Sequence, residues 1–509
     1  MNFNQKTTEL ILSVDLGTSN LKAAVFDLNG KEIDYESIEF NLYTPENNIV
    51  ENDANQCWQN LSKIIRKITL RLGERAKNIS VIGTSSQGET IIPVDKNGQP
   101  LRNAIVWIDS RSKKEADQIR NEFDIVKMYK KTGYPDADPS WPAARILWLR
   151  KNQNEIFKNT YKFLLLEDFI IHKLTGMFKG ESTVYSSSYY YDIVKYDFID
   201  EILDFVGINR KKLPEILSPG SIVSTINPET ARYLGISKRT KVVIGAMDQV
   251  CGAMGAGNIS KGFVTETTGS AFAMVVTLDK PLFDTKYSLP CIPHAVRGLY
   301  ALMPYSSTGG MVLKWFKDKF CNEESSIANL RKTSVFKILD EMAKDIPPGS
   351  EGLIMLPFIT GAFFPEFNPQ ARGVFFGIGI NHNKDHFIRS ILESLGYMLK
   401  RDIEIMSSLG LKISDIISIG GGASSKLWSQ IKADICKKPI KIPEYTESAL
   451  LGCTILSAVA AGFFNNPENA IKSMVKIKNV YHPESKNGQI YDENFKKYLK
   501  LYRKLKGIF

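Results

Sequence analysis

Residues 10–22, LILSVDLGTSNLK, and residues 264–274, VTETTGSAFAM, decide how this chain folds. Each runs an apolar or β-branched stretch into a glycine with Thr or Ser beside it. Such a turn exposes backbone N–H groups and hydroxyls, which suits a phosphate oxygen. Two of them, one near the start of each half, predict two similar lobes gripping one polyphosphate. Asp15 adds a carboxylate that phosphate alone would repel, and a metal ion between the two accounts for it.

Outward from the first turn, residues 10–15 read as a strand and residues 23–27 as its hairpin partner. Asn29-Gly30 gives a tight turn before a third strand. Residues 53–73 carry Trp58, Leu61, Ile64, Ile65 and Ile68 at helical spacing. Residues 80–85 form a short apolar strand leading into Ser86-Gln87-Gly88-Glu89. Helical patterns follow at 112–122, 143–152 and 161–174, and residues 242–246 make another strand ending at Met247-Asp248-Gln249.

The second turn has similar surroundings. Strand 262–267 precedes Gly269-Ser270, helices are predicted at 310–320 and 385–408, and strand 416–419 closes on Gly420-Gly421-Gly422 before a helix from about residue 425. Strands alternating with helices predict an α/β architecture in each half. The boundary is placed at Gly257-Asn258, giving domains 1–257 and 258–509. At 509 residues two or more domains are expected in any case.

Hydrophobic residues are 43% and charged residues 24%, an ordinary globular balance. The net charge of +10 is clustered most clearly at residues 496–506, where it reads as a solvated helix face rather than a nucleic-acid patch. The six Cys form no CxxC pair and lie at no metal-ligand spacing from His, as expected of reduced thiols in a cytoplasmic protein. The opening MNFNQKTTELILSVD lacks the apolar core of a signal peptide. The most apolar stretch, 449–464, is too short to span a bilayer and reads as a buried helix. No membrane or nucleic-acid partner is expected.

Four groups of residues carry chemistry. Asp15 within D-x-G-T is a weak signal alone, since a turn Asp often caps its own backbone. Lys22 on the same hairpin is within reach of a phosphate, or is simply solvated. Asp248 ends an apolar strand, where α/β proteins meet their ligands. It reads equally as a proton acceptor for phosphoryl transfer or as a helix cap. Gly420-Gly421-Gly422 and Gly309-Gly310 let a flat ligand approach the backbone. Trp107-Ile108-Asp109-Ser110-Arg111 mixes an aromatic face with charged groups, as a sugar site does, or as a core Trp beside a surface ion pair does.

These pieces in this order resemble the FGGY family of carbohydrate kinases, which includes xylulokinase, gluconokinase and glycerol kinase. Residues 373–393, GVFFGIGINHNKDHFIRSILE, are similar to the family's C-terminal signature. SWPAARILWLRKN, from Ser140, matches the N-terminal signature except that Arg145 stands where Lys is usual. GGGASSKLWSQIKADICKKPI from residue 420, followed by ESALLGCTILSAVAAG, resembles the adenosine-side segment.

The resemblance implies two actin-like ATPase (ribonuclease H-like) domains with a catalytic cleft between them, and transfer of a phosphoryl group from ATP to a sugar or polyol hydroxyl. It implies that Asp15 helps hold Mg²⁺ and that Thr18, Ser19 and Lys22 contact the β- and γ-phosphates. Gly269 and Ser270 would cradle phosphates from the other lobe, with Gly310, Gly421, Gly422 and Lys426 lining the nucleotide site. Asp248 would be the general base. Gln249, Gln87, Glu89, Trp107 and Asp109 would meet the acceptor. Gly88 and Ser140 replace an Arg and a Tyr of glycerol kinase, which predicts a roomier pocket for a linear or ring sugar of about five or six carbons. The Met-His pair typical of xylulokinases is also missing, and the acceptor expected is a pentulose or other ketose such as xylulose. The alternatives are a polyol kinase of glycerol or erythritol type, a non-catalytic sensor on the same fold, and an actin-like chaperone or filament protein. Family members include homodimers, so a homodimer is compatible with the resemblance.

Overall fold

The computed structural model describes residues 9–509. The stretch 1–8, on which part of the expectation about a leader rests, lies outside the described residues. Packing divides the chain into two units. The first comprises the chain up to Ile259 together with Leu278–Leu302 and Glu447–Val475; the second comprises Ser260–Thr277, Met303–Thr446 and Lys476–Phe509. A single cut near Gly257 therefore does not separate them, because two later segments return to the first unit.

The first unit is built on six strands: β1 (Leu10–Leu16), β2 (Asn20–Phe26), β3 (Glu32–Glu39), β4 (Ile79–Ser86), β5 (Ser221–Thr225) and β6 (Lys241–Met247). They lie in the order β5-β6-β4-β1-β2-β3. β1 is antiparallel to β2 and parallel to β4, and β4 is parallel to β6. Both faces of this central region are covered, so β1 is apolar except at Ser13 and Asp15, and all seven of its residues are buried. Helix Ala54–Leu72 packs Leu61, Ile64, Ile65 and Ile68 into this core, with Asp53 capping its first turn.

The second unit has β7 (Phe263–Thr268), β8 (Phe272–Leu278), β9 (Asp415–Ile419), β10 (Ile440–Pro443) and β11 (Ile477–Tyr481), in the order β8-β7-β9-β10-β11. A hairpin, two parallel neighbours and an antiparallel edge strand recur here as in the first unit. The two glycine-hydroxyl turns thus join equivalent hairpins.

Helix Ser448–Ala460 explains why Glu447–Val475 belongs with the first unit. It packs on helix Asp248–Gly255 so closely that a Cβ on Gly452 would lie 1.9 Å from the Cys251 carbonyl oxygen. Ser13 on β1 shares a hydrogen bond with Thr454 at 2.8 Å. One sequence expectation fails locally. Residues 162–165, read as the start of a helix, form a strand (Lys162–Leu165) paired with Ile91–Val94, and the helix begins at Leu166. Cross-strand hydrogen bonds to a distant segment override the local period there. At the C-terminus, helix Gly488–Leu505 buries Tyr491, Phe495, Tyr498 and Tyr502 and leaves Lys496, Lys497 and Lys500 in solvent. All six cysteines are free and buried. Among the described residues no helix is long and apolar enough to cross a membrane.

Candidate functional site

Strand register gathers the acidic residues of the first unit. Asp15 near the end of β1 faces Lys22 on β2 and Ser85 on β4, while Ser86 pairs with Met247, the residue before Asp248. Asp15 is 8% exposed and accepts a hydrogen bond from the Ser85 hydroxyl at 3.0 Å. Burial raises its pKa, and Lys22 and Ser85 oppose that shift. Asp248, at the first turn of its helix, is pushed up to about 7 by burial and next by the Asp15 carboxylate, with Glu89 adding to it. Gln249 is half-buried beside it.

The segment after β4 supplies the next group. Gln87 is buried, and its Oε1 accepts from the hydroxyls of Thr18 (3.1 Å) and Thr90 (3.3 Å). Trp107 Nε1 donates to the same Thr18 oxygen at 2.7 Å. Thr18, expected on phosphate, is therefore tied to the Gln87–Trp107 side. Ser19 is exposed. Glu89 is buried in the left-handed region at φ 55°. Burial pushes its carboxyl up to about 7, against a hydrogen bond from Ser187 and the nearby Arg145. Asp109 is fully buried and already committed: its Oδ2 accepts from the Val50 N–H at 2.6 Å and from Arg111, and its Oδ1 accepts from the Arg111 N–H. Asp109, expected in the acceptor pocket, instead ties the Val50 N–H to Arg111.

Gly88 also differs from expectation. A Cβ there would sit 3.0 Å from Ser187 Oγ and 3.2 Å from Met247 Cε, so even an alanine would be tightly packed on that side. Lys22 donates to Glu447 at 2.5 Å, a partner that sequence reading did not single out. Ser187 was missed as well, although the polar and aromatic run 182–191, STVYSSSYYY, is an unusual composition for a fully buried segment.

In the second unit, Gly269, Ser270, Gly310, Gly421 and Gly422 line one cleft of about 390 Å³, together with Thr268, Leu313, Phe336, Asp340 and Trp428. Glycine is required at this wall: a Cβ on Gly422 would lie 2.7 Å from Thr268 Cβ, and one on Gly310 would lie 2.6 Å from the Gly269 carbonyl oxygen. Gly310 N–H donates to that same oxygen at 2.8 Å, which locks the turn to the start of helix Met311–Phe320. Beneath the turn, Lys432 is bonded to Glu266 and, at 3.0 Å, to Thr268 Oγ1, and Ser418 Oγ donates to Glu266. Lys426 is exposed at the start of its helix and does not line the cleft.

Comparison with known proteins agrees with this architecture. Residues 10–255 match the N-terminal domain of the FGGY family of carbohydrate kinases, and residues 267–461 match its C-terminal domain. Gluconokinase of Bacillus subtilis (strain 168) is 31% identical over 456 residues, covering 89% of this chain and 88% of that protein. Xylulose kinase of Staphylococcus epidermidis is 28% identical over 500 residues, 98% of each chain. The crystal structure of gluconate kinase from Lactobacillus acidophilus superposes with a TM-score of 0.88 at 26% identity, covering 98% of both chains. The two-unit α/β fold and these matches define a phosphotransferase that acts on a sugar hydroxyl with ATP as donor. The chain belongs to the FGGY family of carbohydrate kinases.

Proposed function

We propose that this chain transfers the γ-phosphate of ATP to a hydroxyl of a neutral sugar, a pentulose or related ketose such as xylulose, in the cytoplasm. Asp248 is the general base. The observation that carries this is the Asp248 carboxyl at the end of β6, whose pKa is pushed up to about 7 by burial and by Asp15. A base poised near neutrality both exists unprotonated and gains a proton readily as the hydroxyl attacks.

The acceptor is bound by Gln87, Glu89, Trp107 and Gln249. The cleft lined by Gly269, Ser270, Gly310, Gly421 and Gly422 holds ATP, whose phosphates meet backbone N–H groups there. Mg²⁺ fits beside Asp15: the residues offer one buried carboxylate with a second nearby, which is how this ion is held when substrate phosphates and water complete its shell. Among the described residues no cluster of three or more His, Cys, Asp or Glu suggests an all-protein cage. When bound, the ion would neutralise charge developing on the transferred group. Lys22 serves the same end from its place opposite Asp15.

Charge in the first unit favours a neutral acceptor over a sugar acid. The charges acting on Asp248 and Glu89 are mostly carboxylates. The cations nearby are already bonded: Lys22 to Glu447, Arg111 to Asp109 and Glu51, and Arg145 to backbone carbonyls. The test is ADP release measured across ketoses, aldoses, sugar acids and polyols. Ketose-dependent release is expected; polyol-dependent release would move the acceptor class, and sugar-independent turnover would overturn the kinase assignment.

A further inference from the structure

Arg145 lies on helix Pro142–Asn152 and is completely buried, yet among the described residues no carboxylate is bonded to it. Its Nη1 donates to the carbonyl oxygens of Glu89 (2.7 Å) and Ile105 (3.4 Å), and its Nη2 to those of Trp107 (2.7 Å) and Asp109 (3.1 Å). Nε has no partner. Burial pushes the group down to about 10, with Asp109 the largest opposing influence. A buried cation satisfied only by peptide oxygens is costly unless its geometry is good. It therefore favours whichever backbone arrangement brings those oxygens together.

The oxygens come from two separate segments, 86–90 and 104–109, whose neighbouring strands pair at Ile91 and Ile105. Those segments carry Gln87, Glu89 and Trp107. One of the oxygens belongs to Glu89, whose φ of 55° is unfavourable for a residue with a side chain. Thr90 bridges the same segments more weakly, accepting from the Trp107 N–H at 3.3 Å.

We infer that Arg145 is a positioning residue for the acceptor site: its planar fork clamps the two segments into one unit and holds Glu89 in its strained conformation. In this chain a lysine would not reach all four oxygens, because its three donors radiate from one nitrogen whereas the guanidinium spreads its donors across a plane. The clamp also occupies a cation that could otherwise attract a substrate carboxylate. The inference rests on the proposed acceptor role of these segments.

The experiment compares Arg145→Lys with the unsubstituted chain in two measurements. Amide hydrogen exchange without ligand reports the clamp itself, and steady-state kinetics report its consequence. Amides in both segments, Thr90 and Trp107 among them, should exchange at least about tenfold faster in Arg145→Lys, since local opening sets their protection. KM for the sugar should rise about tenfold or more, while KM for ATP stays within about twofold. Unchanged exchange in these segments overturns the clamp. Faster exchange with sugar and ATP constants moving together overturns the positioning role. Arg145→Met, which removes every donor, should exceed Lys in both measurements; equal effects would also count against a role for donor geometry. If the unsubstituted chain shows no sugar-dependent turnover, the functional reading fails separately, and the exchange comparison still decides the clamp.

Discussion

Lys22 stands directly opposite Asp15 in the β1–β2 pairing, and its ammonium is bonded to Glu447 at 2.5 Å. Three charged groups from positions 15, 22 and 447 thus share one corner of the first unit. Burial works to lower the lysine pKa, but the Glu447 hydrogen bond and Asp15 outweigh it, so the ammonium stays charged. Glu447 immediately precedes helix Ser448–Ala460, and the close packing of that helix on Asp248–Gly255 fixes the carboxylate where Lys22 can reach it.

If Lys22 stabilises the transferred group as proposed, Lys22→Ala should lower kcat by about 100-fold, the low end of the cost of removing one preorganised stabilising donor. Glu447→Gln should cost only a few-fold, because the lysine remains and loses only its orientation. Stability should change by no more than about 1 kcal/mol in either variant, since the pair is partly exposed and screened. Steady-state kinetics and urea unfolding measure both. Equal losses of kcat in the two variants would show that Lys22 acts only as a structural partner of Glu447.

Asp248→Asn should reduce kcat by about 10²–10⁴-fold, while ADP binding in the second unit's cleft is retained. The pH dependence follows from the carboxyl pKa of about 7 against an ordinary 3.8. Between those values the folded chain holds a proton that the unfolded chain has released. The stabilisation from this group is complete below about 4 and is lost as pH rises through 7. Asp248→Asn should therefore raise Tm relative to the unsubstituted chain more at pH 8 than at pH 5. Activity runs the other way, with kcat/KM falling about tenfold per unit below pH 7 as the base protonates. A Tm difference that does not vary with pH contradicts the shifted carboxyl.

Much of the fold around the candidate site was legible because its parts are local. The run LILSVDL followed by G-T-S reads as strand and turn from seven apolar-rich residues, and β1 ends one residue from the sequence estimate. The runs that became β4, β6, β7 and β9 were read as well, since apolar or β-branched runs bounded by turn residues mark strands. What could not be read depends on distant partners. Lys22 and Glu447 are 425 positions apart. Asp109 looks like a free carboxylate until Val50 is seen to occupy it. Gly88 looks like added space until Ser187 and Met247 are placed beside it. Arg145 was visible only as a departure from the family's usual lysine; its four carbonyl partners leave no side-chain pattern in the sequence.

Lys432→Met should destabilise the chain by about 3–5 kcal/mol, because it leaves Glu266 buried without its cation. Both groups are essentially inaccessible, at 1% and 0% exposure, so solvent cannot compensate. Adding Glu266→Gln in the same chain should restore most of the loss, since an amide needs no counter-charge. ADP affinity should weaken in the single variant, because Thr268 Oγ1 bonds to both Lys432 and Glu266 and its strand leads into the Gly269-Ser270 turn. Urea unfolding and ADP titration measure these. A double variant no more stable than the single one would show that the pair's charges are not what holds the turn.

An aldonate should be a poorer acceptor than a neutral ketose of the same length, by at least about 10–100-fold in kcat/KM. A carboxylate entering beside Glu89 and Asp248 would be desolvated among like charges, with Lys22, Arg111 and Arg145 already bonded elsewhere. An unpaired buried group costs about 1–3 kcal/mol, and each 1.4 kcal/mol is tenfold. Specificity of this kind is set by a few contacts in the pocket rather than by the fold as a whole. The discrimination should narrow below pH 7, where Asp248 and Glu89 protonate and the repulsion weakens. Gluconate turned over faster than every ketose at pH 8 would overturn the neutral-acceptor assignment and require a cation that is freed when substrate binds.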